Sequence, residues 1–204
     1  MKFIFDLDDT LVAGDVIESV ATKMYTEGKI DRIYTNDDVK AYDLTGLPDN
    51  LKERVKEKFA DPEMVWIKKP IPGATYLLHY LEAVGHVTGI VTARPVSVDK
   101  ETQKFIKARF SEINFALGLT FVNSQNCIDM KNVPSKYETL KQLAPDFYFD
   151  DNIQYCLQAA SQGIKTYLVS NKFTPWNHAV KNDENFNSKV RVLRNVAFFP
   201  ETLL

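Results

Sequence analysis

Met1-Lys2-Phe3-Ile4-Phe5-Asp6-Leu7-Asp8-Asp9-Thr10-Leu11 is the stretch on which the reading of this chain turns. Phe3, Ile4 and Phe5 make an unbroken apolar run, the pattern of a short strand buried on both faces, and such strands belong to parallel sheets. Three carboxylates follow at once, Asp6, Asp8 and Asp9, with no basic residue among them. Like charges so close raise one another's pKa and oppose folding, and a bound hard cation with oxygen ligands is the usual resolution. Asp6 and Asp8 lie two residues apart, so on an extended backbone they project to the same side. One can then act on a substrate atom while the other handles its proton. An acidic turn that merely ends a strand is the plain alternative.

Working outward, the chain has 204 residues, 45% of them apolar, enough for one full core and a modest insertion. A net charge of −2 gives no electrostatic footprint for a nucleic-acid backbone or an anionic membrane, so any phosphate site must be local. No apolar stretch approaches the roughly 20 residues that span a bilayer, and Asp6 interrupts the place where a signal peptide would continue, which points to the cytoplasm. Cys127 and Cys156 fit no metal-ligand spacing and read as free thiols. His79, His86 and His178 are scattered, and none is assigned to catalysis.

Beyond Leu11 the pattern turns helical. Asp15 with Glu18 predicts a capping box, Val16, Val20 and Met24 recur every four residues, and Gly28 marks the stop. Thr35 and Asp38 suggest a second, shorter start. Leu51, Val55 and Phe59 mark a third helix, opened near Asp49 and closed before Pro62. Residues 13–68 are therefore expected to form a small helical cap over the acidic end of the first strand, with residues 1–12 and 69–204 as the core. About 55 residues without a strand are long for one crossover. The sequence leaves open whether Tyr25, Trp66 or another residue of this insertion touches substrate, aromatics in such a cap being more often core than a stacking platform.

Prolines at 70 and 72 punctuate the return. Strands are then expected at 87–92, 119–122, 146–150 and 165–170, alternating with helices marked by Leu77 and Leu81, Phe105 and Phe110, Lys136 to Leu143, and a last one capped by Asn152. The tail from Val190 is apolar enough to dock. This alternation predicts an α/β, Rossmann-like doubly wound parallel sheet with ligands at the carboxyl ends of its strands.

Two more segments sit at such ends. In Gly89-Ile90-Val91-Thr92-Ala93-Arg94-Pro95, the Thr92 hydroxyl and then free main-chain N–H groups stand at the tip of a buried strand, the neutral donors that a phosphoryl oxygen needs. Arg94 can reach the same ligand or form a surface ion pair. Phe149-Asp150-Asp151-Asn152 again puts two carboxylates after an apolar strand. Capping the next helix needs only one of them, and with Asp6 and Asp8 the pair makes the oxygen-rich site that Mg²⁺ prefers.

Phe5 to Leu11 resembles the first motif of the haloacid dehalogenase-like superfamily of phosphohydrolases, Thr92 stands as in its second motif, and Asp150-Asp151 as in its fourth. The resemblance implies that Asp6 attacks phosphorus, that Asp8 is the general acid and base, and that Thr92 and the Ala93 amide bind phosphate. It implies Mg²⁺ held by Asp6, the Asp8 carbonyl, Asp150 and Asp151, and a phosphate-binding lysine, for which Lys136 is preferred to Lys141. Asp8, crowded by Asp6 and Asp9, is expected to have a raised pKa so that it can protonate a leaving alcohol. The helical insertion, Pro-Ile-Pro-Gly-Ala, Thr-Ala-Arg-Pro, the Asp-Asp pair and the segment holding Phe173, Trp176 and Asn177 are similar to the 5′(3′)-deoxyribonucleotidase branch, which implies nucleoside monophosphates as substrates. Asp9-Thr10 departs from the Gly-Val common in that branch, and the lysine-bearing segment here is longer. The alternatives are a phosphatase for a sugar phosphate or other small phosphomonoester, a nucleic-acid 3′-end phosphatase, and a catalytically silent phosphate-binding regulatory module.

Overall fold

The computed structural model describes residues 1–41, 43–122, 133–182 and 184–199. Strand β1 (Lys2–Phe5) is followed by a two-residue β2 (Val12–Ala13), helices α1 (Val16–Thr26), α2 (Asp49–Phe59) and α3 (Pro62–Ile67), and β3 (Lys69–Pro70). Alternation then sets in: α4 (Ala74–Ala83), β4 (Val87–Thr92), α5 (Asp99–Arg109), β5 (Leu119–Phe121), α6 (Lys136–Leu143), β6 (Phe147–Asp150), α7 (Ile153–Ser161), β7 (Lys165–Val169), the short α8 (Glu184–Asn187) and β8 (Val190–Leu193).

Six strands form one sheet in the order β5-β4-β1-β6-β7-β8, with every pair parallel. The chain runs outward from β1 to β4 and β5, then crosses to β6 on the other side. Such a reversal opens a crevice at the carboxyl ends of the strands that flank it, here β1, β4 and β6. The doubly wound expectation therefore holds, and the apolar tail supplies a sixth strand, β8, at the edge.

Because side chains alternate along a strand, β1, β6 and β7 send Phe3, Phe5, Phe147, Phe149 and Tyr167 to one face. Centroid separations are 4.6 Å for Phe3 and Phe147, 4.7 Å for Phe5 and Phe149, and 5.0 Å for Phe149 and Tyr167. Phe199 from the tail meets Phe3, Phe147, Phe149 and Tyr167 edge-on. Ile4, Val91 and Tyr148 pack on the opposite face with Leu140 of α6 and Ala159 of α7. These buried rings fix the height at which β1 and β6 end, and so the level of the acids that follow.

Helices α1 to α3 carry a separate apolar cluster that includes Val16, Val20, Met24, Leu51 and Val55. β2 and β3 pair antiparallel, Val12 with Pro70 and Ala13 with Lys69, so the segment leaves and rejoins the sheet at one point. The capping box expected of Asp15 and Glu18 is absent: Asp15 stands at the N-cap with φ −81° and ψ 60°, and its side chain makes no capping hydrogen bond. That backbone is not the extended one from which a side chain reaches the first turn. Thr35 and Asp38 do cap reciprocally, and Asn152 accepts from the N–H groups of Gln154 and Tyr155. Tyr25 and Trp66 are not core: they are 50% and 39% exposed, and Trp66 lies edge-on to Phe105 while donating to Glu101.

Among the described residues no helix is long and apolar enough to cross a membrane. Cys156 is a buried free thiol, whereas Cys127 and residues 200–204 lie outside the described residues. Phe199→Ala should lower the unfolding free energy by about 3–5 kcal/mol, since it empties a site closed on four rings. Urea denaturation measures this, and a loss under about 1 kcal/mol would show that the tail's docking contributes little.

Candidate active site

The chain turns sharply as it leaves β1. Leu11 and Val12 N–H groups both donate to the Leu7 carbonyl at 3.0 Å, and Asp9 N–H donates to the Val12 carbonyl at 2.6 Å. Asp9 takes the left-handed conformation, φ +57°, that lets this turn close. The result aims Asp6, Asp8 and Asp9 into one cavity of about 210 Å³. β4 delivers Thr92, Ala93 and Arg94 to the same cavity, α6 delivers Lys136, and the end of β6 delivers Asp150 and Asp151. All the site residues expected from the sequence thus share one place. Lys141 is exposed on α6 and does not line the cavity.

Lys136 sits at the centre. It is 2% exposed, and its Nζ donates to Asp6 Oδ1 at 2.7 Å and to Asp150 Oδ2 at 2.8 Å. Asp150 also accepts from the Tyr148 hydroxyl and, at 2.7 Å, from Asn152 N–H. Burial works against the Lys136 charge, but Asp150 and Asp6 more than offset it and hold the ammonium well above its usual pKa. A reciprocal capping box of Ser135 and Glu138 starts α6 at this point, which places the lysine in its first turn.

Asp6, Asp150 and Asp151 are buried, and each offers a carboxylate oxygen within 4.8 Å of the others. Burial raises the Asp6 pKa to about 7; Lys136 pulls it down, while Asp150 and Asp8 push it up. Burial, then Asp150, raises Asp151 well above the carboxylate range. Asp9 is likewise raised to about 7, by burial first. Lys136 alone does not neutralise this set, and three hard oxygen donors short of positive charge fit a divalent cation such as Mg²⁺.

Asp8 contradicts its expected pKa. Its carboxylate takes two parallel bonds from Arg94, Nε and Nη2 each at 2.7 Å, and a third from Lys68 Nζ at 2.5 Å. Burial alone would raise it, but Arg94 and Lys68 overcome that and hold it well below the usual range. Crowding by like charges predicted the reverse because those two cations come from distant parts of the chain. Nor is Arg94 a surface residue: it is 7% exposed, and its Nη1 donates to Thr102 at 3.2 Å. Lys68 carries no signal in the sequence. It is buried because β3 folds back on β2 beside Gly14, at which a Cβ would come within 3.1 Å of the Lys68 Cα.

No family model matches the chain. A protein of Oceanobacillus iheyensis provisionally named a nucleotidase is 26% identical over 154 residues, covering 74% of this chain and 77% of that protein. The structure of a haloacid dehalogenase-like family protein from Streptococcus pneumoniae superposes with a TM-score of 0.60 at 14% identity, over 98% of this chain and 97% of that one. This chain has the haloacid dehalogenase-like fold. A structure titled as a predicted phosphoglycolate phosphatase from Haemophilus somnus also superposes, with a TM-score of 0.60 at 16% identity, over 99% of this chain and 97% of that one. In this chain the haloacid dehalogenase-like sheet brings the ends of β1, β4 and β6 to one cavity.

The raised pKa of Asp151 carries a cost. Between its unfolded and folded values the unfolded chain gives up a proton that the folded chain keeps, so folding stability falls as pH rises through that window. Asp151→Asn removes the cost. With a chelator present, the variant is expected to melt a few degrees above the wild type near pH 8 and to show a smaller gain near pH 5. Differential scanning calorimetry at both pH values tests this; a gain independent of pH would contradict it.

Proposed function

We propose that this chain is a Mg²⁺-dependent phosphatase that hydrolyses small phosphomonoesters through an aspartyl-phosphate, with nucleoside monophosphates as its substrate class. One observation carries the reading: the Asp6 carboxylate is buried, paired with Lys136 at 2.7 Å, and opens on the cavity that Thr92 and Ala93 also line. A carboxylate oxygen of Asp6 bonds to phosphorus as the ester P–O bond breaks, and water then displaces Asp6 from phosphorus. Lys136 keeps Asp6 oriented and offsets charge on the phosphoryl oxygens, beside donors from Thr92 and the Ala93 amide. Bound by the Asp6, Asp150 and Asp151 carboxylates and the Asp8 carbonyl, Mg²⁺ would supply further charge neutralisation there. Asp8, held ionised by Arg94 and Lys68, is set to take the proton of the attacking water. Its role as acid toward the leaving alcohol requires a substrate dianion to draw on the same two cations and so lift its pKa.

Residues 13–68 act in this reading as a cap. Val16, Leu44, Phe59 and Met64 line the cavity together with Phe173 and Trp176 of the core. An apolar and aromatic wall suits a flat ring better than the hydroxyls of a sugar, and the Oceanobacillus relative's name points the same way.

Turnover of p-nitrophenyl phosphate should require Mg²⁺ and stop with a chelator, and a panel of nucleoside and sugar monophosphates should favour the former. Asp6→Asn is expected to lose about 10³-fold or more in kcat. Steady-state assays decide both, and an active Asp6→Asn enzyme would remove the nucleophile. Asp8→Asn should stall the second half-reaction, so that intact mass after mixing with p-nitrophenyl phosphate shows one added phosphoryl group.

A further inference from the structure

Two asparagine side chains in the loop after β7 reach the two acidic turns. Asn171 Nδ2 donates to the Asp9 carbonyl at 2.8 Å, and Asn177 Nδ2 donates to the Asp151 carbonyl at 2.6 Å. A carbonyl only accepts, so the NH₂ end of each amide must face it, and both orientations are settled by chemistry. To reach Asp9, Asn171 spans the end of β6, since β6 lies between β1 and β7 in the sheet.

The loop that carries them is braced. Phe173 N–H donates to Asn171 Oδ1 at 2.8 Å, Asn171 N–H to Thr174 Oγ1 at 3.1 Å, and Asn177 N–H to the Thr174 carbonyl at 3.0 Å. Thr174 and Asn177 are wholly buried. The turns it grips need restraint. Asp9 is a non-glycine residue at φ +57°, a conformation that costs on the order of 1 kcal/mol and persists only where neighbours hold it.

We infer that Asn171 and Asn177 are positioning residues that splint the turn after β1 to the turn after β6, keeping the carboxylates of Asp6, Asp150 and Asp151 convergent for a divalent cation. The inference rests on the proposed Mg²⁺ site. Neutral amides suit this task because they tie main-chain carbonyls and leave the carboxylate charge for the ion, whereas a lysine or arginine in the same place would compete with it.

Titration calorimetry with Mg²⁺ alone, on wild type, Asn171→Ala, Asn177→Ala and the isosteric Asn177→Asp, tests the splint. Each alanine variant should bind Mg²⁺ about 10–100-fold more weakly than the wild type. Asn177→Asp, which turns a carboxylate toward a carbonyl, should be at least as weak. At saturating Mg²⁺ the alanine variants should regain kcat with substrate KM unchanged. A purely structural role would instead lower the melting temperature of the metal-free variants and leave the Mg²⁺ affinity of the folded fraction intact. Should Asn177→Ala fail to fold, the half-buried Asn171 carries the test alone. Wild-type affinity in both alanine variants overturns the splint and spares the phosphatase reading; a wild type that binds no Mg²⁺ overturns both.

Discussion

The Lys136 ammonium, shut away from water between Asp6 and Asp150, is the interaction on which the rest of the structure depends. It ties the end of β1 to the end of β6 across the crevice and gives two repelling acids a common partner. Removing one member of such a buried set typically costs about 3–5 kcal/mol, because the charges left behind have no water to answer them. The aromatic stack beneath supplies the complementary constraint. Phe5 against Phe149 sets both strand ends at one level, and Asp6 and Asp150 follow directly from those residues.

Asp6 and Asp8 stand two residues apart yet are driven in opposite directions. Burial lifts Asp6 to about 7, while Arg94 and Lys68 hold Asp8 well below the usual range. Separation of like groups by their surroundings is how one site assigns different tasks to chemically identical side chains. Lys68 also links the helical segment to the acids, since it stands where that segment rejoins the sheet.

Much of the fold was legible from the chain. Apolar runs such as Phe3 to Phe5 and Phe147 to Phe149 marked buried parallel strands, and the acids after them marked where a ligand would sit. β8 was harder to read because Val190-Arg191-Val192-Leu193 is a four-residue edge strand with a charge inside it. The Asp15 capping box failed because the backbone there answers to the β2–β3 pairing next to it, which overrides a local preference worth about 1 kcal/mol. Of the two lysines weighed for the site, Lys136 in the first turn of α6 lines the cavity and Lys141 does not.

By itself the sequence determined the alternation of the central strands and helices and the acids at the strand tips, because these follow from periodicity and from acids placed at fixed offsets after apolar runs. Only the tertiary structure decided which charge answers which. Lys68, Arg94, Asn171 and Asn177 are 60, 86, 162 and 26 residues from the groups they hold. Coulomb and hydrogen-bond energies depend on distance in space, and separation along the chain says nothing about that until the sheet has formed.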